Sequence, residues 1–148
     1  MNSDFKELLL LLNQSGIRYL VVGGYAVMIY GEPRYTKDLD IVIGTDSEEL
    51  VAFRNALQQF GFPMSDEAVK ELAEPNRMVK IGHPPARIDF LNQLKGVEFS
   101  TAWENRTILP IDGIDVCFIS LPDLIVSKRA TGRPQDLIDL KNLESIKG

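Results

Sequence analysis

Phe5, Leu8, Leu9 and Leu12 recur at helical spacing over residues 3–14, and Asn13 to Gly16 close the pattern, which predicts an amphipathic helix. Ile17 to Val22 is a short, partly β-branched apolar run ending at Gly23-Gly24. It predicts a buried strand followed by a tight turn. Tyr25 to Tyr30 predicts a two-turn helix stopped by Gly31, residues 32–37 form a polar loop, and Leu39 to Ile43 is the clearest strand of the chain. Asp46-Ser47-Glu48-Glu49 opens a helix running to about Phe60, with Asp46 or Ser47 as its cap. Residues 65–73 predict a weaker helix. Residues 77–81 and 87–91 predict a hairpin around the turn Gly82-His83-Pro84-Pro85, and residues 108–111 and 114–119 a second one around Asp112-Gly113. Two helices follow, at about 121–130 and 134–146; Ser120 suits the cap of the first and Pro134 the opening turn of the second.

The resulting order, α-β-α-β-α-α-β-β-β-β-α-α, predicts the α+β class: a small mixed sheet with flanking helices and a C-terminal helical pair. The expected organisation is one domain over 1–148, with a core of about 1–119 and closing helices of about 120–148.

Composition narrows the setting. Hydrophobic residues make up 45% of the chain, enough for one core, and no stretch approaches the roughly 18 apolar residues of a membrane span. Asp4, Lys6 and Glu7 precede the run Leu8–Leu12 and no small-residue cleavage site follows, so that run reads as helix core and not as a signal peptide. A single cysteine, Cys117, allows no internal disulfide, which leads us to expect a cytoplasmic protein. A net charge of −5 argues against a protein that coats nucleic acid, while leaving room for a local basic site.

Three features carry candidate chemistry. Strand alternation puts Asp38 and Asp40 on one face and Leu39, Ile41 and Ile43 on the other. Two like charges so placed repel unless a cation sits between them, and oxygen donors of this kind suit magnesium together with substrate phosphates; two solvated strand-end carboxylates are the plainer alternative. Gly23-Gly24, between a strand and a helix, would let backbone approach a phosphate closely, although any tight turn could use it. Asp89 sits in the apolar segment Arg87-Ile88-Asp89-Phe90-Leu91, where it needs a metal, a cation or water; an arginine partner would also satisfy it. His83 has no second His or Cys beside it to suggest zinc, Cys117 reads as inert core, and Trp103 as packing.

Gly23-Gly24, thirteen residues, then Asp38-Leu39-Asp40, with a later acidic residue on a neighbouring strand, resembles the signature of the nucleotidyltransferase superfamily related to DNA polymerase β. The string Leu20 to Val27 with Gly31, Arg34, Thr36 and Asp38 to Ile41 resembles the AbiEii-like branch more specifically, as do Leu121 to Ile125 with Lys128, Gly132-Arg133-Pro134 and Asp136-Leu137. The resemblance implies that Asp38, Asp40 and Asp89 bind magnesium, or manganese, and that Gly23, Gly24, Arg34, Thr36 and Lys128 contact a nucleoside triphosphate. It implies transfer of a nucleoside monophosphate to a hydroxyl on RNA, protein or a small molecule, in a toxin–antitoxin or phage-defence setting, with a partner protein or a second copy of the chain. The alternative is a non-catalytic nucleotide-binding or antitoxin/toxin module of the same fold. Taken singly, Arg34 could pair with Glu32, Lys128 could be a solvated helix lysine, and Arg133 with Asp136 could fix a turn.

Overall fold

The computed structural model describes residues 1–32, 38–82 and 87–147. The chain runs α1 (Ser3–Ser15), β1 (Tyr19–Val22), α2 (Gly23–Tyr30), β2 (Leu39–Ile43), α3 (Ser47–Phe60) and α4 (Asp66–Glu71). It continues through β3 (Met78–Ile81), β4 (Ile88–Leu91), α5 (Phe99–Glu104), β5 (Thr107–Ile111), β6 (Ile114–Phe118), α6 (Leu121–Thr131) and α7 (Pro134–Lys147). The α+β expectation holds. Two details differ: α2 begins at Gly23 itself, and α5 was not expected. Six residues span less than two turns, too few for a helical period to emerge from Phe99, Ala102 and Trp103.

The six strands form one sheet in the order β3-β4-β2-β1-β6-β5. β2 runs antiparallel to β1 and parallel to β4, while β1 pairs in parallel with β6, so the sheet is mixed. Both expected hairpins pair antiparallel. In the second, Asp112 and Gly113 take φ of 50° and 85°, the positive values that a two-residue hairpin turn requires.

The apolar spacing read from the sequence becomes the core. Phe5, Leu8, Leu9 and Leu12 of α1 are fully buried, as are Phe53, Ala56 and Leu57 of α3, against which α1 packs. All four residues of β1 are buried, as expected for a central strand covered on both faces. α6 and α7 pack on each other, and both touch α2. This closes the helical pair over the end of the sheet where β1 finishes and β2 starts.

Candidate active site

The register of the sheet builds the site. Val22, Asp40, Asp89 and Lys80 are successive cross-strand partners on β1, β2, β4 and β3, so they form one row. Asp40 and Asp89 are therefore side by side on one face of adjacent parallel strands. Asp38, two residues before Asp40, lines the same cleft. All three carboxylates thus line one cleft at the end of the central strands.

Gly23 closes the site from the β1 side. Its φ is +65°, and a Cβ there would lie 2.3 Å from Oδ2 of Asp40. Glycine is thus required twice: for the backbone angle and for the space that the carboxylate occupies. The N–H groups of the first turn of α2, left without partners inside the helix, face the same end of the sheet.

The electrostatics follow from this crowding. Burial, reinforced by the charges of Asp89 and Asp38, pushes the Asp40 carboxyl up to about 6, and Lys128 and Arg133 offset part of the rise. Asp89 is 7% exposed. Its nearest cations are the Arg87 Nε at 3.5 Å and the Lys80 Nζ at 3.9 Å, and its Oδ1 is buried without a hydrogen bond. The arginine partner considered from sequence is therefore present but poorly aligned, and it leaves an acceptor unsatisfied in a low-dielectric place.

Across the cleft stands Lys128. It is not the solvated helix lysine that its sequence position allowed: it is 7% exposed, with Nζ 3.1 Å from Asp136 Oδ1 and 3.0 Å from Asp139 Oδ2. Helix α6 turns inward here, and α7 supplies both carboxylates one turn apart, each 1% exposed. Arg133 donates to Asp136 from its backbone N at 3.1 Å and from Nε at 2.8 Å, the turn-fixing pair. Burial alone would raise the Asp136 carboxyl, but hydrogen bonds from Arg133, Thr131 and Lys128 outweigh it and hold it well below the usual carboxylate range. Sequence reasoning missed Asp139. Its one signal was an acid three residues after Asp136, on the helix face that buries Leu140 and Leu143.

Gly23, the three carboxylates, Lys80, Lys128, Arg133 and Asp136 line a cleft of about 590 Å³, together with Lys95, Gln93, Ser127 and Thr131. Arg34, Thr36 and His83 lie outside the described residues. Among the described residues, no three His, Cys, Asp or Glu side chains are gathered into a ready-made metal cage.

A family described as "Nucleotidyltransferase of unknown function (DUF6036)" matches residues 2–147. The chain belongs to this nucleotidyltransferase family. A family of nucleotidyltransferases is a family of enzymes, and the AbiEii-like branch is not singled out by the match. No curated protein matches the chain.

Solved structures of similar fold include ANT(2″)-Ia in complex with adenylyl-2″-tobramycin. It is 13% identical at a TM-score of 0.64, covering 97% of this chain and 87% of that one. The lincosamide antibiotic adenylyltransferase LnuA, lincomycin-bound, is 14% identical with a TM-score of 0.58 over 99% and 98% of the two chains. An antigenic nucleotidyltransferase-like protein from Paracoccidioides brasiliensis is 17% identical with a TM-score of 0.56, covering 97% and 74%. At these identities the likeness is one of fold, and it matches the nucleotidyltransferase fold expected from sequence. Among the described residues of this nucleotidyltransferase, no helix is long and apolar enough to cross a membrane.

Proposed function

We propose that this nucleotidyltransferase transfers a nucleoside monophosphate from a nucleoside triphosphate to a hydroxyl acceptor, with Asp38, Asp40 and Asp89 as its magnesium-binding carboxylates. The observation that carries this is the pairing of Asp40 with Asp89 in register, two carboxylates side by side on adjacent strands, the second with a buried oxygen that accepts no hydrogen bond. Such a donor set fits a hard cation, and the fit does not need a closed cage. Magnesium is commonly held by one or two carboxylates and completes its shell with water and substrate phosphates. When bound, it supplies charge neutralisation at the triphosphate and at the attacking oxygen.

The remaining work falls to the chain. Gly23 and the first turn of α2 approach the phosphates through backbone N–H groups and Asp89 orients the acceptor hydroxyl, while Lys128, held by Asp136 and Asp139 on the opposite wall, is the residue that the sequence resemblance assigns to triphosphate contact. Positioning and charge neutralisation supply most of what such a transfer needs. The proposed roles of Arg34 and Thr36 in phosphate contact rest on the sequence resemblance alone. The solved relatives named with an antibiotic or its adenylyl adduct support a small hydroxyl compound as acceptor. A toxin–antitoxin or phage-defence setting rests on the AbiEii-like resemblance.

Incubation with each labelled nucleoside triphosphate, magnesium and cell extract tests the reading. We expect a labelled product from the wild type and none from Asp40→Ala. No label from any of the four nucleotides, with Asp40→Ala indistinguishable from wild type, would sink it.

A further inference from the structure

The wall of the cleft on the Asp89 side has a different character from the wall built by α6 and α7. There the cations are already spoken for: Lys128 and Arg133 are tied to Asp136 and Asp139. Lys80, the cross-strand partner of Asp89, and Lys95 line the cleft together with Asn76 and Gln93. Lys80 is 53% exposed at its side chain, and its sole contact with an acid among the described residues is the 3.9 Å approach to Asp89. Lys95 is exposed and has no ion-pair partner among the described residues.

This wall is built and not incidental. Asn92 donates to the Leu72 and Glu74 carbonyls and accepts from the Arg77 N–H at 2.9 Å. The Gln93 side chain accepts from the Asn76 N–H at 3.2 Å, and Asn76 holds a φ of 57°. Lys95 sits between two anchors. Leu94 is buried, and at Gly96, with φ +77°, an added Cβ would stand 2.8 Å from the Ala130 methyl of α6. The loop is thereby fastened to both sides of the cleft, and the lysine at its centre is carried at the rim. Glu74 and Glu98 line a neighbouring recess of about 340 Å³ that meets the cleft at Gln93 and Leu94.

We propose that Lys80 and Lys95 form an acceptor subsite for a small anionic hydroxyl compound, one bearing a phosphate or carboxylate group near the reacting hydroxyl. The proposal rests on the nucleotidyltransferase reading of the same cleft and adds the acceptor's charge. Two ammonium groups in the cleft that holds the carboxylate assigned to the acceptor hydroxyl, one at 3.9 Å from it and one with no ion-pair partner among the described residues, attract an anion and repel a polyamine. Two such groups in a chain of net charge −5 suit a compact anion; a long polyanion needs an extended basic track. In the reaction, the acceptor oxygen bonds to the α-phosphorus, the bond from that phosphorus to the bridging oxygen of the β-phosphate breaks, and pyrophosphate leaves. The hydroxyl proton departs to solvent by way of Asp89.

The test is a calorimetric titration of the full chain with magnesium and a non-hydrolysable ATP analogue. It is followed by titration with glucose 6-phosphate, ribose 5-phosphate, glucose, glucosamine and tobramycin, on wild type and on Lys80→Glu/Lys95→Glu. We expect the phosphorylated sugars to bind more tightly than the neutral and amino sugars. In the double variant that affinity should fall by about tenfold or more, as for loss of a charge-assisted contact, with a much smaller change for the analogue. Equal weakening of the analogue would assign the lysines to the triphosphate and overturn the proposal. So would tighter binding of tobramycin or glucosamine, or no discrimination by charge. Failure of the wild type to bind the analogue, or binding unaffected by Asp40→Asn, would instead overturn the reading of the whole site. Circular dichroism of the double variant confirms that a loss is not unfolding.

Discussion

Gly23 leaves the space that Asp40 fills: a methyl group on that glycine would lie 2.3 Å from the aspartate's Oδ2 and 3.0 Å from its Cγ. The first residue of α2 therefore determines where a carboxylate on β2 can point. Gly23→Ala should cost about 1–2 kcal/mol for a side chain held at positive φ. It should also rotate Asp40 out of the row it shares with Asp89. Urea unfolding measures the first effect. Calorimetric titration with magnesium and a triphosphate measures the second, which should be lost while the protein remains folded.

Asp40 also makes stability depend on pH in an unusual direction. Its carboxyl titrates at about 6 in the fold against an ordinary value of 3.8. The folded state therefore holds a proton that the unfolded chain has released, and stability is lost as pH rises from about 4 through 6. Acidification from pH 7 to 5 should raise the urea midpoint. Asp40→Asn should be more stable than wild type at pH 7 and show a flatter profile across that window. Below about pH 4 the trend reverses for both, because Asp136 and Glu49, held low by arginine and lysine partners, lose their charge.

Removing Asp89 relieves the same crowding from the other strand. Asp89→Asn keeps the shape but removes the charge that helps raise Asp40, so the Asp40 carboxyl should titrate lower than about 6, visible by NMR as a shifted midpoint. Stability should change little or rise, since a buried negative charge crowded against Asp40 is replaced by a neutral amide, while nucleotidyl transfer is abolished. A site that trades stability for chemistry behaves this way.

Lys128 should behave in the opposite manner. Lys128→Met takes the shared ammonium from two carboxylates that are each 1% exposed, leaving Asp136 to Arg133 and Asp139 to Gln135, and the loss of one partner from a buried ionic cluster typically costs about 3–5 kcal/mol. Arg133→Gln removes a cation whose side chain is 73% exposed and should cost far less. Thermal unfolding of the two variants separates them. In Lys128→Met/Asp139→Asn, part of the lost stability should return.

Much of this was legible in the residues themselves. Strand and helix periods are local properties, so β2 falls on the expected residues and α1, α3, α6 and α7 lie within a residue or two of their expected bounds. Gly-Gly followed by Asp-x-Asp was recognisable because a short turn and an alternating strand confine their chemistry to adjacent positions. The six-residue α5 was not legible, for it is too short to carry a period.

What only the tertiary structure decided is relation across distance. Residue type could not say that Asp89 falls opposite Asp40 and not one rung away, where its side chain would point to the other face of the sheet. Parallel pairing of β2 with β4 settles that. Nor could helical spacing tell whether Lys128 meets water or acid. It meets Asp136 and Asp139 because α7 folds back on α6 across the cleft, and a buried ammonium is tolerable only where carboxylates come to it. The sequence by itself determined which residues could do the chemistry. The packing of strands and helices far apart in the chain determined which of them stand close enough to share it.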